Sequence, residues 1–530
     1  MSSPSMLAAA PSTFERFRRA VNRPSIALVA VGILAATLRF THVTYPEQRI
    51  FDEYYYSKSA CIFLGYSNHR CDVNSEDERY WRRERGDVGA WVHPPLGKWA
   101  IAVGELVFGT GSFGWRFSSV IFGTTSVVLL AAIAQLLFRK PIWTFTAGLL
   151  LATESLNFVQ SRVSMLDIFV TTWIVAGLLF IVLDRRWIDR RTFGEGEIDA
   201  GGSAEAGAPG AYPPLAAEDS VSNAPAPGVL AEGSGAPSAP APADVRPRFP
   251  EPLWRPWRLA AGIALGASVA SKWSGVTGIA VAIVLSLMWE RSRRKRFGMA
   301  HPVWRSLQAE GFGIVLSLLV VPAVVYLASY VGWFVQNGWD LGEWMRLQGA
   351  IASYHEGLKV LDASGKPVHP YLSEAWKWVF LVRPVLYYSR YPGDGVREVI
   401  YANGNPAIFW GSLLAVPFAA FRWWRRRDWR AGFIVVAVLG LYVPWMFVSR
   451  PQFLFYATTI TPFFVLACVY ALKDVSEMHV AGSRSRPYLP FAVGFVVLSV
   501  GLFVWFWPAL TGGHLSDAAF RLRAWFPTWT

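Results

Sequence analysis

The sequence predicts an all-α polytopic membrane protein, and three observations carry that prediction. Eleven apolar stretches recur along its 530 residues, most of them near the length of about 20 residues that crosses a hydrocarbon core about 30 Å thick. Hydrophobic residues make up 53% and charged residues 16%, too few charges to cover a water-soluble surface, where about 25% is usual. The Lys and Arg residues gather in alternate short connections, as they do in helical membrane proteins.

The first stretch, about 25–41, follows a basic N-terminal segment over 1–24 that contains Arg16, Arg18, Arg19 and Arg23. No small-residue cleavage site follows it and further spans do, so it is read as a retained helix rather than an export signal. The others lie at about 113–138, 142–156, 166–184, 258–271, 273–290, 311–334, 404–421, 431–448, 452–472 and 489–509. Several are short or merged, which sets the expected number of spans at ten to twelve. With the N-terminus in the cytoplasm, the inner connections hold Arg139-Lys140, then Arg291, Arg293, Arg294, Lys295 and Arg296, then Arg422, Arg425, Arg426, Arg427 and Arg430. The short outer loops hold one basic residue each, Arg162, Lys272 and Arg450. Most of the net charge of +13 is then topological, so the partner expected is the lipid bilayer of the cell membrane and no nucleic acid.

Residues 192–245 contain no Lys or Arg and are dominated by Ala, Pro, Gly and Ser. Such a stretch buries too little apolar surface to offset its ordering entropy, so 192–252 is expected to be a disordered cytoplasmic linker between an N-terminal membrane half, 25–184, and the spans of 258–334 and 404–509. Residues 510–530 are expected to form an extracytoplasmic tail. Two longer segments, 42–98 and 335–403, fall outside and are rich in charged and aromatic residues. An external site has to be built mainly from these.

The first outer segment opens with FDE, which sets Asp52 beside Glu53. Neighbours on a helix point about 100° apart, so the two carboxylates are expected to have different roles; a solvated acidic pair at a helix start is the plain reading. The segment VHPPLGK follows, in which two prolines fix the direction of the next helix and hold His93 and Lys98 at its entrance. Arg116 and Arg162 sit at outer ends of spans, and Asp167 lies at or within the membrane, where a carboxylate needs a partner or a polar cavity. Lys272 caps a short outer hairpin. Together with Arg162 and Arg450 it supplies cations of the kind that a phosphate at the outer interface requires. In the second outer segment His355, His369 and Arg383 are candidates to line a substrate groove, while Trp376, Trp378, Tyr387 and Tyr388 fit an interfacial aromatic belt. Cys61 and Cys71 share the first outer loop, where an oxidising exterior permits a disulfide or leaves two thiols, and Cys468 lies alone in a late span. Three cysteines in all exclude a disulfide-framework protein, and no Cys/His spacing suits a structural zinc site.

Taken together, FDE, VHPPLGK, WRFSS, SRVSMLDIF, SKWSG, HPY with RPVLYYSR, GNPAIFWG and SRPQFLFY resemble the protein O-mannosyltransferases that use polyprenyl-phosphate mannose, above all their actinobacterial branch. The resemblance runs from about residue 25 to 470, broken by the linker. It implies a GT-C type glycosyltransferase with about eleven transmembrane helices. Eukaryotic members carry a beta-trefoil MIR domain in the large outer loop; here 335–403 is too short for one. The sequence departs from the family's pattern at Tyr55 and Trp91, where His and Asp are common.

The resemblance further implies transfer of mannose from polyprenyl-phosphate mannose to Ser/Thr hydroxyls of exported proteins, with inversion, on the extracytoplasmic side. Direct displacement needs a base opposite the leaving phosphate. Asp52 is the expected base and Glu53 its support, with the reverse order also open. Lys272, then Arg162, Arg116 and Arg450, are expected to hold the donor phosphate, while His93, Lys98, Asp167, His369 and Arg383 bind substrate or support the site. No cofactor or metal is expected; the alternative is a divalent ion held by Asp52, Glu53 and His93. Two other activities fit parts of the pattern. One is a related transferase acting on a lipid or cell-wall glycan. The other is a transporter, although its internal repeats and midplane charges are not seen.

Overall fold

The computed structural model describes residues 23–74, 88–193, 255–393, 395–478 and 487–529. The basic N-terminal segment, up to Asn22, and the expected linker, from Gly194 onward, lie outside the described residues. Helices occupy all eleven apolar stretches. They are α1 (Pro24–Phe40), then, past two helices of the first outer segment, α2 (Glu53–Phe63) and α3 (Leu96–Phe108), α4 (Ser112–Phe138), α5 (Pro141–Ala152), a short α6 (Ser155–Gln160) and α7 (Leu166–Phe193). After the linker come α8 (Pro256–Ser271), α9 (Val276–Arg296), α10 (Pro302–Val315) and α11 (Val321–Ser329), joined by a π-helical turn before Pro322. Helix α12 (Leu341–Glu356) lies in the second outer segment, and α13 (Pro406–Arg426), α14 (Trp429–Tyr442), α15 (Thr461–Ser476) and α16 (Leu489–Thr511) complete the bundle.

By length and hydropathy, seven helical segments among the described residues suffice to cross a membrane, and α1 and α5 are shorter apolar helices. This count is four lower than the eleven spans expected, because the helices of 25–41, 142–156, 258–271 and 452–472 are only 12 to 17 residues long. Helix α7 is the axis of the bundle: its membrane window is 83% buried, against 22% for α16 on the periphery. Helices α3 and α4 form a tight corner at two glycines, where a Cβ on Gly104 would lie 2.3 Å from the Gly114 carbonyl oxygen.

The all-α expectation needs one correction. Residues Val385–Gly393 (β1), Val396–Ala402 (β2) and His514–Ser516 (β3) form an antiparallel sheet in the order β1-β2-β3. The C-terminal segment, expected as a tail, returns to pair with β2 and buries Trp529 beneath it, where the Tyr401 hydroxyl donates to the Trp529 carbonyl at 2.6 Å. Glu398 of β2 is buried and accepts from Tyr45, Tyr388 and His514, tying the end of α1 to the sheet and to the C-terminus.

At the opposite end of the bundle, basic residues assigned to an inner loop are partly interior. Arg293 and Arg294 are buried and donate to Glu290 at 2.7 and 2.6 Å, and Arg255 bridges Asp184, Glu290 and Glu310. This network pins the ends of α7, α8, α9 and α10 to one another. Each charge is paired, as burial demands.

Candidate functional site

The site lies where the C-terminal ends of α1 and α8 meet the N-terminal end of α7. Phe51, just before the acidic pair, has φ +50, a left-handed backbone that bulky residues seldom adopt. Its ring is stacked on Tyr387 at 4.6 Å and met edge-on by Phe455 and His369. The turn held in this way presents Asp52 at the N-cap of α2, yet the Asp52 side chain does not cap the helix, the usual occupation of Asp there. It accepts a long 3.4 Å bond from the Tyr56 hydroxyl. Asp52 is half-buried and, among the described residues, forms no ion pair. Burial pushes its carboxyl up to about 6; Lys272 and the Tyr56 hydroxyl pull it down and Asp167 adds to the rise.

Glu53 is occupied in the opposite way. It is 0% exposed and its oxygens accept from Arg116 Nε and Nη2, both at 2.8 Å, and from the backbone N–H of Ile50 and Ser164, both at 3.0 Å. Arg116, also fully buried, gives its remaining N–H groups to the carbonyls of Val43, Pro46 and Gln48. A guanidinium has five donors, and all five are used. The expectation that Arg116 holds the donor phosphate is therefore corrected: Arg116 and Glu53 form a clamp that binds the loop after α1 to α4 and to the turn before α7.

Lys272, at the C-terminal end of α8, and Asp167, in the first turn of α7, form a buried pair with Nζ 2.9 and 3.0 Å from the two carboxylate oxygens. Each sits where the helix dipole favours its charge. The ammonium also lies 4.5 Å from the centre of the Tyr456 ring, and Arg450 lies over the same ring at 5.9 Å. Arg450 Nη1 donates to His355 Nδ1 at 3.3 Å, so the His355 proton is on Nε2, 3.1 Å from the Val92 carbonyl. His93 stacks on His355 at 5.1 Å. Burial and, behind it, Arg450 hold His355 down at about 4; burial, then Lys272, Lys98, His355 and Arg450, hold His93 well below its ordinary value. Both imidazoles are neutral at pH 7 beside the cations Lys272 and Arg450. Such a cluster donates hydrogen bonds and positive potential to an anion.

The remaining candidates are dispersed. Arg162 donates to the His42 carbonyl at 2.8 Å and lies over Phe158, while its Nε and Nη1 are buried with no hydrogen-bond partner among the described residues. Lys98 is buried and donates to the carbonyls of Ala90 and His93, so it braces the HPP turn. His369 sits against Phe51 and accepts the Tyr371 N–H at Nδ1, and Arg383 pins the Pro370 carbonyl beside it at 2.5 Å. A disulfide joins Cys61 to Cys71, and Cys468 is free and buried. Among the described residues no three His, Cys, Asp or Glu side chains gather as a metal-ligand set. Sequence reasoning missed Phe51, Ser164 and Tyr456 as parts of the site; FDE, SRVSM and SRPQFLFY had marked the segments that carry them.

Two family models match the chain. "Dolichyl-phosphate-mannose-protein mannosyltransferase" covers residues 29–188 and "C-terminal four TMM region of protein-O-mannosyltransferase" covers 341–529. A polyprenol-phosphate-mannose--protein mannosyltransferase of Mycolicibacterium smegmatis is 29% identical over 94% of this chain and 92% of its own length. That of Mycobacterium tuberculosis is 29% identical over 94% and 90%. Among solved structures, the Saccharomyces cerevisiae protein O-mannosyltransferase Pmt1-Pmt2 complex bound to the sugar donor aligns with TM-score 0.67 over 95% of this chain and 92% of the matched chain, at 12% identity.

Proposed function

The chain belongs to the protein O-mannosyltransferase family, and from that premise we propose that it transfers mannose from polyprenyl-phosphate mannose to Ser/Thr hydroxyls of exported proteins, on the extracytoplasmic side and with inversion. The observation that carries the chemistry is the contrast between the adjacent carboxylates. Glu53 is saturated by four donors at 3.0 Å or less, and among the described residues Asp52 forms no ion pair of its own. Asp52 is the base that takes the acceptor hydroxyl proton as that oxygen bonds to C1 of mannose. The C1–phosphate oxygen bond breaks on the opposite face, and its electron pair leaves with the lipid phosphate. Lys272 and Arg450 stabilise that developing charge, with the neutral His93 as a further donor and His355 orienting Arg450. Asp167 holds Lys272 in place. No metal is needed in this scheme, since phosphate is a good leaving group and its charge meets fixed cations.

Purified full-length protein given radiolabelled polyprenyl-phosphate mannose and a Ser/Thr-rich peptide in EDTA is expected to yield labelled peptide from which alkali releases the sugar. Label appearing on a glycolipid instead would transfer the chain to the lipid- or glycan-modifying class, and loss of activity in EDTA would restore a metal. The raised carboxyl of Asp52 also sets a pH profile. A base works deprotonated, so kcat/KM is expected to rise about tenfold per pH unit below 6 and to level off above it. A flat profile from pH 5 to 7 would remove Asp52 from this role.

A further inference from the structure

The segment SRPQFLFY ends in Tyr456, which lies in a 3₁₀ turn over Leu454–Thr459. Its ring is stacked on Trp445 at 4.9 Å and met edge-on by Phe455 at 4.8 Å, Phe453 at 5.9 Å and Trp378 at 6.2 Å. Four aromatic neighbours fix the plane of the ring, and with it the direction of the hydroxyl. Lys272 and Arg450 also lie over this ring, at 4.5 and 5.9 Å from its centre, drawn by the attraction that an aromatic face has for a cation. One side chain thus gathers the two cations assigned to the leaving phosphate.

The hydroxyl itself is unused. Among the described residues it makes no hydrogen bond, although Tyr456 is only 8% exposed and a buried tyrosine normally finds a partner for its O–H. Nor is it sealed off, as the unpartnered Trp115 Nε1 is, so it keeps surface that a ligand atom can touch. It lies within electrostatic reach of Arg450, Asp167 and Asp52 and opens on the space that the cations and the proposed base share. Tyr387 reaches the same two carboxylates, but its hydroxyl accepts from Gln160 Nε2 at 2.8 Å. A donor left open beside two cations calls for an anionic oxygen. Asp167 gives both of its oxygens to Lys272, and Asp52 accepts from Tyr56 instead, so neither carboxylate supplies it.

We propose that the Tyr456 hydroxyl donates a hydrogen bond to a phosphate oxygen of the lipid-linked donor, completing with Lys272 and Arg450 the set that receives the leaving phosphate. This rests on the reading that the donor is a polyprenyl-phosphate sugar. As the bond from C1 to the phosphate oxygen breaks, its electron pair moves onto the phosphate while the phenol keeps its proton, so the hydrogen bond strengthens with the developing charge. The residue then has two parts: the ring positions the cations, and the hydroxyl touches the substrate.

Tyr456→Phe separates the parts, because the ring and its cation contacts remain and only the O–H is lost. In the full-length protein this variant is expected to lower kcat about 10- to 100-fold, the worth of one hydrogen bond to a charged group. Inhibition by polyprenyl phosphate, the product that bears the full charge, is expected to weaken by a similar factor. The melting temperature is expected to stay that of the wild type, since the hydroxyl has no protein partner to lose. Tyr387→Phe is the comparison: it strands Gln160 Nε2, so it is expected to lower the melting temperature and to leave inhibition by polyprenyl phosphate unchanged. Unchanged kcat or unchanged inhibition in Tyr456→Phe, a lowered melting temperature in that variant, or an equal weakening of inhibition in Tyr387→Phe overturns the proposal. If polyprenyl phosphate neither binds nor inhibits the wild type, the donor reading itself has failed and this proposal falls with it.

Discussion

Replacing Asp52 by Asn is expected to lower kcat by a factor of about 10² to 10⁴, the usual worth of a general base, with the melting temperature at pH 7 unchanged or higher. The sign of the stability effect follows from the carboxyl's environment. Its pKa in the folded protein, about 6, lies above the ordinary 3.8, so the folded state holds the proton more tightly than the unfolded chain does. Ionisation therefore opposes folding to an extent that is absent below about pH 4, grows as pH rises through 6 and is full at pH 7. Asn removes that opposition. Glu53→Gln, one residue away, is expected to lose both activity and stability because it opens the Arg116 clamp. Thermal unfolding and single-turnover transfer measured on both variants decide the matter. A destabilised Asp52→Asn, or one that retains full kcat, would show the two carboxylates to have been assigned the wrong way round.

Arg116→Ala is expected to destabilise the protein by about 3–5 kcal/mol, the cost of leaving one partner of a buried ion pair without the other. Five acceptors lose their donor in this variant: the two Glu53 oxygens and the carbonyls of Val43, Pro46 and Gln48. The loop that carries Phe51 and Asp52 is thereby released from α4. A phosphate-binding arginine would behave differently, raising the donor KM at an unchanged melting temperature. Chemical unfolding alongside donor titration separates the two outcomes.

The sequence by itself determined the membrane class, the places of the helices and the segments that build the site. Spanning helices need long apolar runs and inner loops need Lys and Arg, and both requirements are local and legible. FDE, VHPPLGK, SRVSMLDIF, SKWSG and SRPQFLFY each supply a residue to the cluster around Asp52 and Lys272. What each of those residues does was decided by tertiary structure. Asp52 and Glu53 are adjacent and chemically alike, and only the arrival of Arg116, Ser164 and Ile50 at one of them sets a saturated carboxylate apart from the proposed base. Arg116, Arg162 and Lys272 are equally cationic at outer helix ends, yet five acceptors consume the first, the second gives one nitrogen to the His42 carbonyl, and the third stands with Asp167 beside Asp52. One part of the sheet was hidden for a related reason: β1 and β2 are neighbours along the chain, but β3 joins β2 from more than a hundred residues away, and hydrogen bonds at that separation leave no period in the sequence to read.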